Sequence, residues 1–345
     1  MMRKMLTYCV IIMSRILDAA HRICLGLSVI LLAVAASSCQ PDLVYPDDHT
    51  QPSYVSASVN VSFNWSKAPD ADPKEMSLIS FRGAAQPVQF QFVGREGGSL
   101  MLSEGERSFL AYNSDNEYYT RGGSWADFEV FSNQTDLHTF SRMFASTRSV
   151  PKTRGTEDQP VIYEPEELWT GNVAHHWLDI VSVKDTIYIP MRVSSYVYNF
   201  VINNVKNLKY VVEVSGTLSG MSESVYPSTG RPSDTASIIP FLMEKSGDSA
   251  ITGSVRTLGH CPLFDSGEYY RHYLTVYAEM TSGEKYYYAL DVTPQMHDLD
   301  HLTGGNTEVP IVINDGLPLP KPIVNGSGMQ PKAAEWYNVD IDLRP

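Results

Sequence analysis

The chain has 345 residues, 43% hydrophobic, 11% aromatic and 19% charged, with 23 Gly and 21 Pro. That composition excludes a disordered chain, a collagen and a coiled coil, and the length suffices for one large domain or two with real cores. A formal net charge of −13 makes the chain a poor partner for nucleic acid, because it would repel the phosphates it had to neutralise.

Residues 1–38 carry Arg3, Lys4, Arg15 and Arg22 against Asp18 alone. From Ile23 to Ala36 the chain reads ICLGLSVILLAVAA, without a charge. The run is too short for a bilayer, which needs about 20 residues at helical rise. A basic segment, a short apolar run and small residues together predict a signal peptide over 1–38, with Met13 an alternative start. Ala36-Ser37-Ser38 end at Cys39, whose thiol is placed to take a diacylglycerol before cleavage. Two or three acyl chains anchor stably where one is marginal. Cys39 is therefore the expected lipidation site, with membrane lipid as its partner. Cys9 and Cys24 leave with the signal, so Cys261 has no disulfide partner and reads as a small buried hydrophobe.

Residues 39–53, rich in Asp and Pro, read as a tether. A first β module is expected over 54–145. From Val55 to Trp65 the apolar side chains Val55, Ala57, Val59, Val61, Phe63 and Trp65 alternate with Ser and Asn, which predicts a strand with one wet face. Shorter strands follow at 76–81, 88–93, 99–102, 108–112 and 128–131, between Gly, Pro, Asn and Asp turns. Residues 146–165 start with STRSVPKTRGTEDQP and read as an exposed linker. A second β module is expected over 166–345. Its strands are 180–189, 196–205 and 210–214, a hairpin of 274–280 with 286–292 about the turn TSGE, then 309–313 and 339–343. Only 294–302 reads as helix, with Pro at its start and Gly304-Gly305 beyond. The class is all-β: two antiparallel β-sandwiches in tandem.

Chemistry is sparse. His297-x-x-x-His301 places two imidazoles on one helix face, but Asp298 stands where a zinc hydrolase needs Glu, and the pair reads as a solvated face. No metal or other cofactor is expected. Ser149-Val-Pro-Lys152 fits S-x-x-K in form, yet lies in the linker, where nothing would desolvate the Lys. No nucleophile elbow, P-loop or dinucleotide fingerprint occurs, and acidic pairs such as Glu166-Glu167 cannot be placed at a glycosidase spacing. No catalytic residue is assigned. Trp169 and Trp177, beside His175-His176, are the candidate platform for a glycan, the alternative reading to which Trp125 and Trp336 also contribute.

Several stretches resemble a family of uncharacterised lipoproteins from Bacteroides and relatives. They are FNWSKAPDADPKEMS (63–77), LAYNSDNEYY (110–119), NVKNLKYVVEVSGTLSGM (204–221), LGHC (258–261), NDGLPLPKPI (314–323) and GSGMQPKAAEWYNVDIDL (326–343). More remotely the chain is similar to the fimbrillins and their anchor subunits. That resemblance implies transthyretin-like sandwiches, an outer-membrane, surface-exposed location and cell adhesion without catalysis. It also implies partners among other fimbrial subunits, joined by strand exchange after a protease removes the first strand behind a basic residue. Arg82 and Lys67 are the candidate processing residues, with Lys74 between them; an uncleaved copy would stay tethered as an anchor or accessory subunit. Acidic Asp42 and Asp47-Asp48 resemble the lineage's surface-export signals. Asp185-Thr186-Ile187, Asp234-Thr235-Ala236 and Asp248-Ser249-Ala250 resemble its O-glycosylation sites.

Overall fold

A computed structural model describes residues 56–179, 186–261, 270–297, 307–322 and 336–338. The signal run, Cys39 and the tether lie outside these, as do His301 and the strand expected at 339–343. The regular structure of the described residues is almost wholly strand, and all of them fall within one unit, 55–345. The class is all-β.

The first strand, β1 (Ser56–Asn64), is laid out as its alternation predicts: Val59, Val61 and Phe63 are buried, and Ser58, Asn60 and Asn64 face water. The chain continues through β2 (Glu75–Phe81), β3 (Val88–Val93), β4 (Gly97–Ser103) and β5 (Gly105–Asn113). It then makes a long excursion through β6 (Tyr119–Arg121), β7 (Glu129–Phe131) and two one-turn helices, α1 (Leu137–Phe140) and α2 (Arg142–Ala145). It returns as β8 (Trp169–Leu178) and β9 (Thr186–Val193). The resulting seven-stranded sheet has the order β3-β2-β5-β8-β9-β1-β4. Its edge strands β3 and β4 are consecutive in the chain, and Phe63 of β1 meets Phe92 of β3 edge-on at 5.5 Å. The sheet therefore curls over one apolar core.

The remaining strands are β10 (Tyr196–Ile202), β11 (Val211–Ser222), β12 (Ser224–Tyr226), β13 (Arg231–Pro232), β14 (Ala236–Ser246) and β15 (Ala250–Thr257). After them come β16 (Tyr273–Met280), β17 (Lys285–Asp291), a one-turn helix α3 (Thr293–Met296), β18 (Glu308–Ile313) and β19 (Trp336–Asn338). Eight strands form a second sheet in the order β18-β10-β15-β14-β11-β16-β17-β19. It bends at β14, whose first half pairs with β11 and whose last residues pair with β15. The hairpin β16–β17 is as expected.

Three expectations are corrected. The sheets are mixed: β1 runs parallel to β9, β10 to β18 and β17 to β19, each pair needing the long connection that parallel strands require. Residues 146–165 do not divide the modules, because β8 and β9 pair back onto β5 and β1, and the switch between sheets falls at Ser194-Ser195. Nor are they an exposed linker. They form a strap across the outer face of the second sheet: the Tyr277 hydroxyl donates to Pro151 O (2.6 Å), Thr153 and Thr275 share a hydroxyl bond (2.5 Å), and Ile162 N donates to Ile238 O (2.9 Å). Polar composition looked like solvent, but these polar groups are satisfied by a sheet face. Under the strap Phe144, Met143, Val161, Ile238 and Tyr277 make a core of their own.

A four-stranded sheet, β13-β12-β7-β6, joins strands from before and after the switch. Its hub is Arg121, whose guanidinium pairs with Glu129 and Glu223 at 2.7 Å each. Burial would raise the Glu129 carboxyl, but hydrogen bonds from Arg121 and Ser224 outweigh it and hold the group below its usual range. If the strap is as tightly packed as these contacts indicate, Phe144→Ala lowers the unfolding free energy by about 3–5 kcal/mol in urea denaturation. A loss under about 1 kcal/mol would mean that the strap is not part of the cooperative fold.

Candidate functional site

The candidate processing residues follow β1 in the chain. This strand lies in the interior of its sheet, antiparallel to β4 on one side (Val59↔Leu100, Val61↔Gly98) and parallel to β9 on the other (Val61↔Ile187, Phe63↔Ile189). Four of its six expected apolar side chains, Val59, Val61, Phe63 and Trp65, are buried. Ala57 is only half-buried, and Val55 lies outside the described residues. At about 1.5–3 kcal/mol per buried side chain, the strand contributes roughly 6–12 kcal/mol of apolar burial. Its end is locked by Trp65, which donates to Arg95 O (2.7 Å) beneath the Arg95 guanidinium (5.2 Å) and meets Trp169 edge-on at 6.2 Å.

The two candidate processing residues sit differently. Lys67 is exposed, in the turn directly after β1, so a cut there would release β1 alone. Arg82 follows β2, so a cut there would release two strands. Its guanidinium is also engaged, donating to Ser103 Oγ (3.0 Å) and Glu104 O (3.1 Å). Lys74, between the two, pairs with Asp72.

The tryptophans do not form a platform. Trp169 is buried in the core of the first sheet, while Trp177 is 63% exposed. Counting by twos along β8 puts both on one face, but a bulge intervenes. Arg107 pairs with His176 while Phe109 pairs with Val173, and His175 takes a positive φ of 53°. The extra residue inverts the alternation. Trp125 and Trp336 are half-buried against apolar clusters. No residue in GNVAHHW marks this bulge, because nothing there singles out His175 as left-handed.

Lys152 of the S-x-x-K match is occupied structurally, donating to Gln159 O (2.7 Å) and Glu157 O (2.9 Å). Cys261 is buried, and burial pushes its thiol up to about 12, which suits a packing role. Thr235 and Ser249, in two of the Asp-Ser/Thr sites, are exposed. Of the expected His297–His301 pair only His297 is described, and it lies against His260 and His272. No described helix is long and apolar enough to cross a membrane.

The described chain is thus all-β, two curled sheets knit by a strap and by a bridging sheet. A family model, Domain of unknown function (DUF5119), matches residues 39–241, more than half of the chain, and the protein belongs to that family. No curated protein matches it. Among solved structures it is similar to a candidate adhesin of Bacteroides ovatus, at 19% identity and TM-score 0.60, over 79% of this chain and 95% of that one. The fimbrial anchor protein Mfa2 of Porphyromonas gingivalis aligns at 11% identity and TM-score 0.46, over 75% of this chain and 91% of that one. Candidate polysaccharide-binding proteins (DUF1812) of Bacteroides thetaiotaomicron align at 11% and 0.46, over 74% and 89%.

Two outcomes follow from the placement of these residues. Within residues 56–113, low-dose trypsin cuts first after Lys67 and only later after Arg82, read by mass spectrometry of the fragments; the reverse order would show that the turn is shielded. Trp169→Ala costs about 3–5 kcal/mol of stability, and Trp177→Ala less than about 0.5 kcal/mol, in urea denaturation.

Proposed function

We propose that the protein is a non-catalytic lipoprotein of the outer membrane and cell surface, a fimbrillin-like pilus subunit or an anchor or accessory subunit, in cell adhesion. In this reading acylated Cys39 holds the chain to the membrane, and partner subunits join by β-strand exchange. The observation that carries it is the position of β1, paired on both sides and directly followed by an exposed lysine turn. Removing such a strand opens a groove between β4 and β9 with two unpaired backbone edges and a row of apolar sockets. Both are what an incoming strand needs. The chain segment from Cys39 leads directly into β1, so one cut at Lys67 would both free the subunit from lipid and open the groove.

Other observations support this reading. The family match begins at Cys39, and the fold resembles that of a candidate adhesin. The glycan alternative loses its platform, since Trp169 is in the core. The test is cell fractionation of Cys39→Ser. The variant should leave the envelope pellet for the soluble fraction, and the parent protein should run in high-mass, heat-labile assemblies. A variant that still pellets, or a parent that is strictly monomeric on the surface, would contradict the proposal.

A further inference from the structure

Three histidines from separate segments converge at one end of the second sheet. His260 follows β15, His272 precedes β16 and His297 ends α3. Their ring centres lie 5.5 Å (His260–His272), 4.6 Å (His260–His297) and 5.0 Å (His272–His297) apart. The backbone fixes this arrangement. Ser222 N donates to Gly259 O (2.9 Å) and Cys261 N to Gly220 O (3.1 Å), pinning the LGHC segment to β11. Gly220, at φ +75°, has no Cβ where one would stand 2.6 Å from His272 Nδ1, so only glycine lets this ring close in.

The nitrogens are arranged as ligands would be. His272 Nε2 and His297 Nε2 are 3.0 Å apart, and two nitrogens on one tetrahedral zinc at 2.0–2.1 Å lie about 3.3 Å apart. The outward nitrogens of His272 and His260 have partners of the kind that orient metal-bound imidazoles. His272 Nδ1 faces Ser219 O at 3.3 Å, His297 is hydrogen-bonded to the Tyr270 backbone, and His260 Nδ1 is 3.4 Å from the Tyr198 hydroxyl. His272 is fully buried and the other two half-buried.

We propose that His260, His272 and His297 form a binding site for a divalent cation of the zinc class, which imidazole nitrogen prefers over calcium or magnesium. Among the described residues no group of three His, Cys, Asp or Glu side chains is already placed to hold a metal ion. His260 stands at 81° to the His297 ring, and binding shifts its side chain through both torsions, giving up the Tyr198 contact, to bring Nε2 to the other two. Water completes the fourth position. A bound ion would tie the segment after β15 to the start of β16 and to α3, closing one end of the second sheet.

The experiment titrates zinc chloride into chelator-stripped, full-length protein against a chromophoric competitor, with thermal unfolding in parallel. One equivalent should bind and raise the unfolding midpoint. His297→Gln should weaken binding by about tenfold or more and abolish the midpoint shift. His272→Gln should do the same; because His272 is fully buried that variant can fail to fold, and the half-buried His297 gives the cleaner comparison, with circular dichroism checking its fold. No uptake by the parent, or unchanged uptake by folded His297→Gln, would overturn the proposal and leave His272 and His297 as a plain N–H···N pair.

Discussion

The structure depends on a strand bonded along both edges. β1 is flanked by β4 and by β9, so its loss would unpair two neighbours at once and uncover the core of the whole first sheet. A strand at a sheet edge is paired along one side only. Here β1 is interior, and the chain leading to it comes from Cys39. A pull on that end would be borne by two hydrogen-bond ladders and by the Trp65–Arg95 lock.

The second constraint is the excursion from Asn113 to Trp169. It leaves the first sheet, contributes two strands to the bridging sheet, lays a strap over the second sheet and returns to pair with β5. Arg121 ties residues 129 and 223 across that bridge, and Lys285, buried beneath the strap, donates to Met143 O (2.6 Å) and to Ser146. Two sheets with separate cores are thereby held through polar and apolar contacts that are far apart in sequence. Such contacts close large loops and order late in folding.

Where side-chain alternation was strict, the sequence was legible. β1, the β16–β17 hairpin and β18 follow from period-two patterns that need only one buried face. β14 was not legible, because the strap covers its outer face. Its residues 237–241, including Pro240, are then buried on both sides and show no alternation. Sheet membership was hidden for the same kind of reason. The 146–165 stretch has the composition of a linker, and only its bonds to Tyr277, Thr275 and Ile238 reveal a packed element. At the site, Lys67 and Arg82 were visible as basic residues, but which strands each would release depended on where β1 and β2 end. The His260–His272–His297 convergence had no local spacing to betray it.

In this account the lipid end, the interior strand and the lysine turn form one device, in which the same peptide bond decides between a tethered subunit and an open groove. Mass spectrometry of the N-terminus of the native protein from cell envelopes tests that claim most directly. The account predicts either a Cys39 carrying acyl chains with β1 intact, or a new terminus at Ala68. An unmodified Cys39, or a terminus lying within the second sheet, would contradict it.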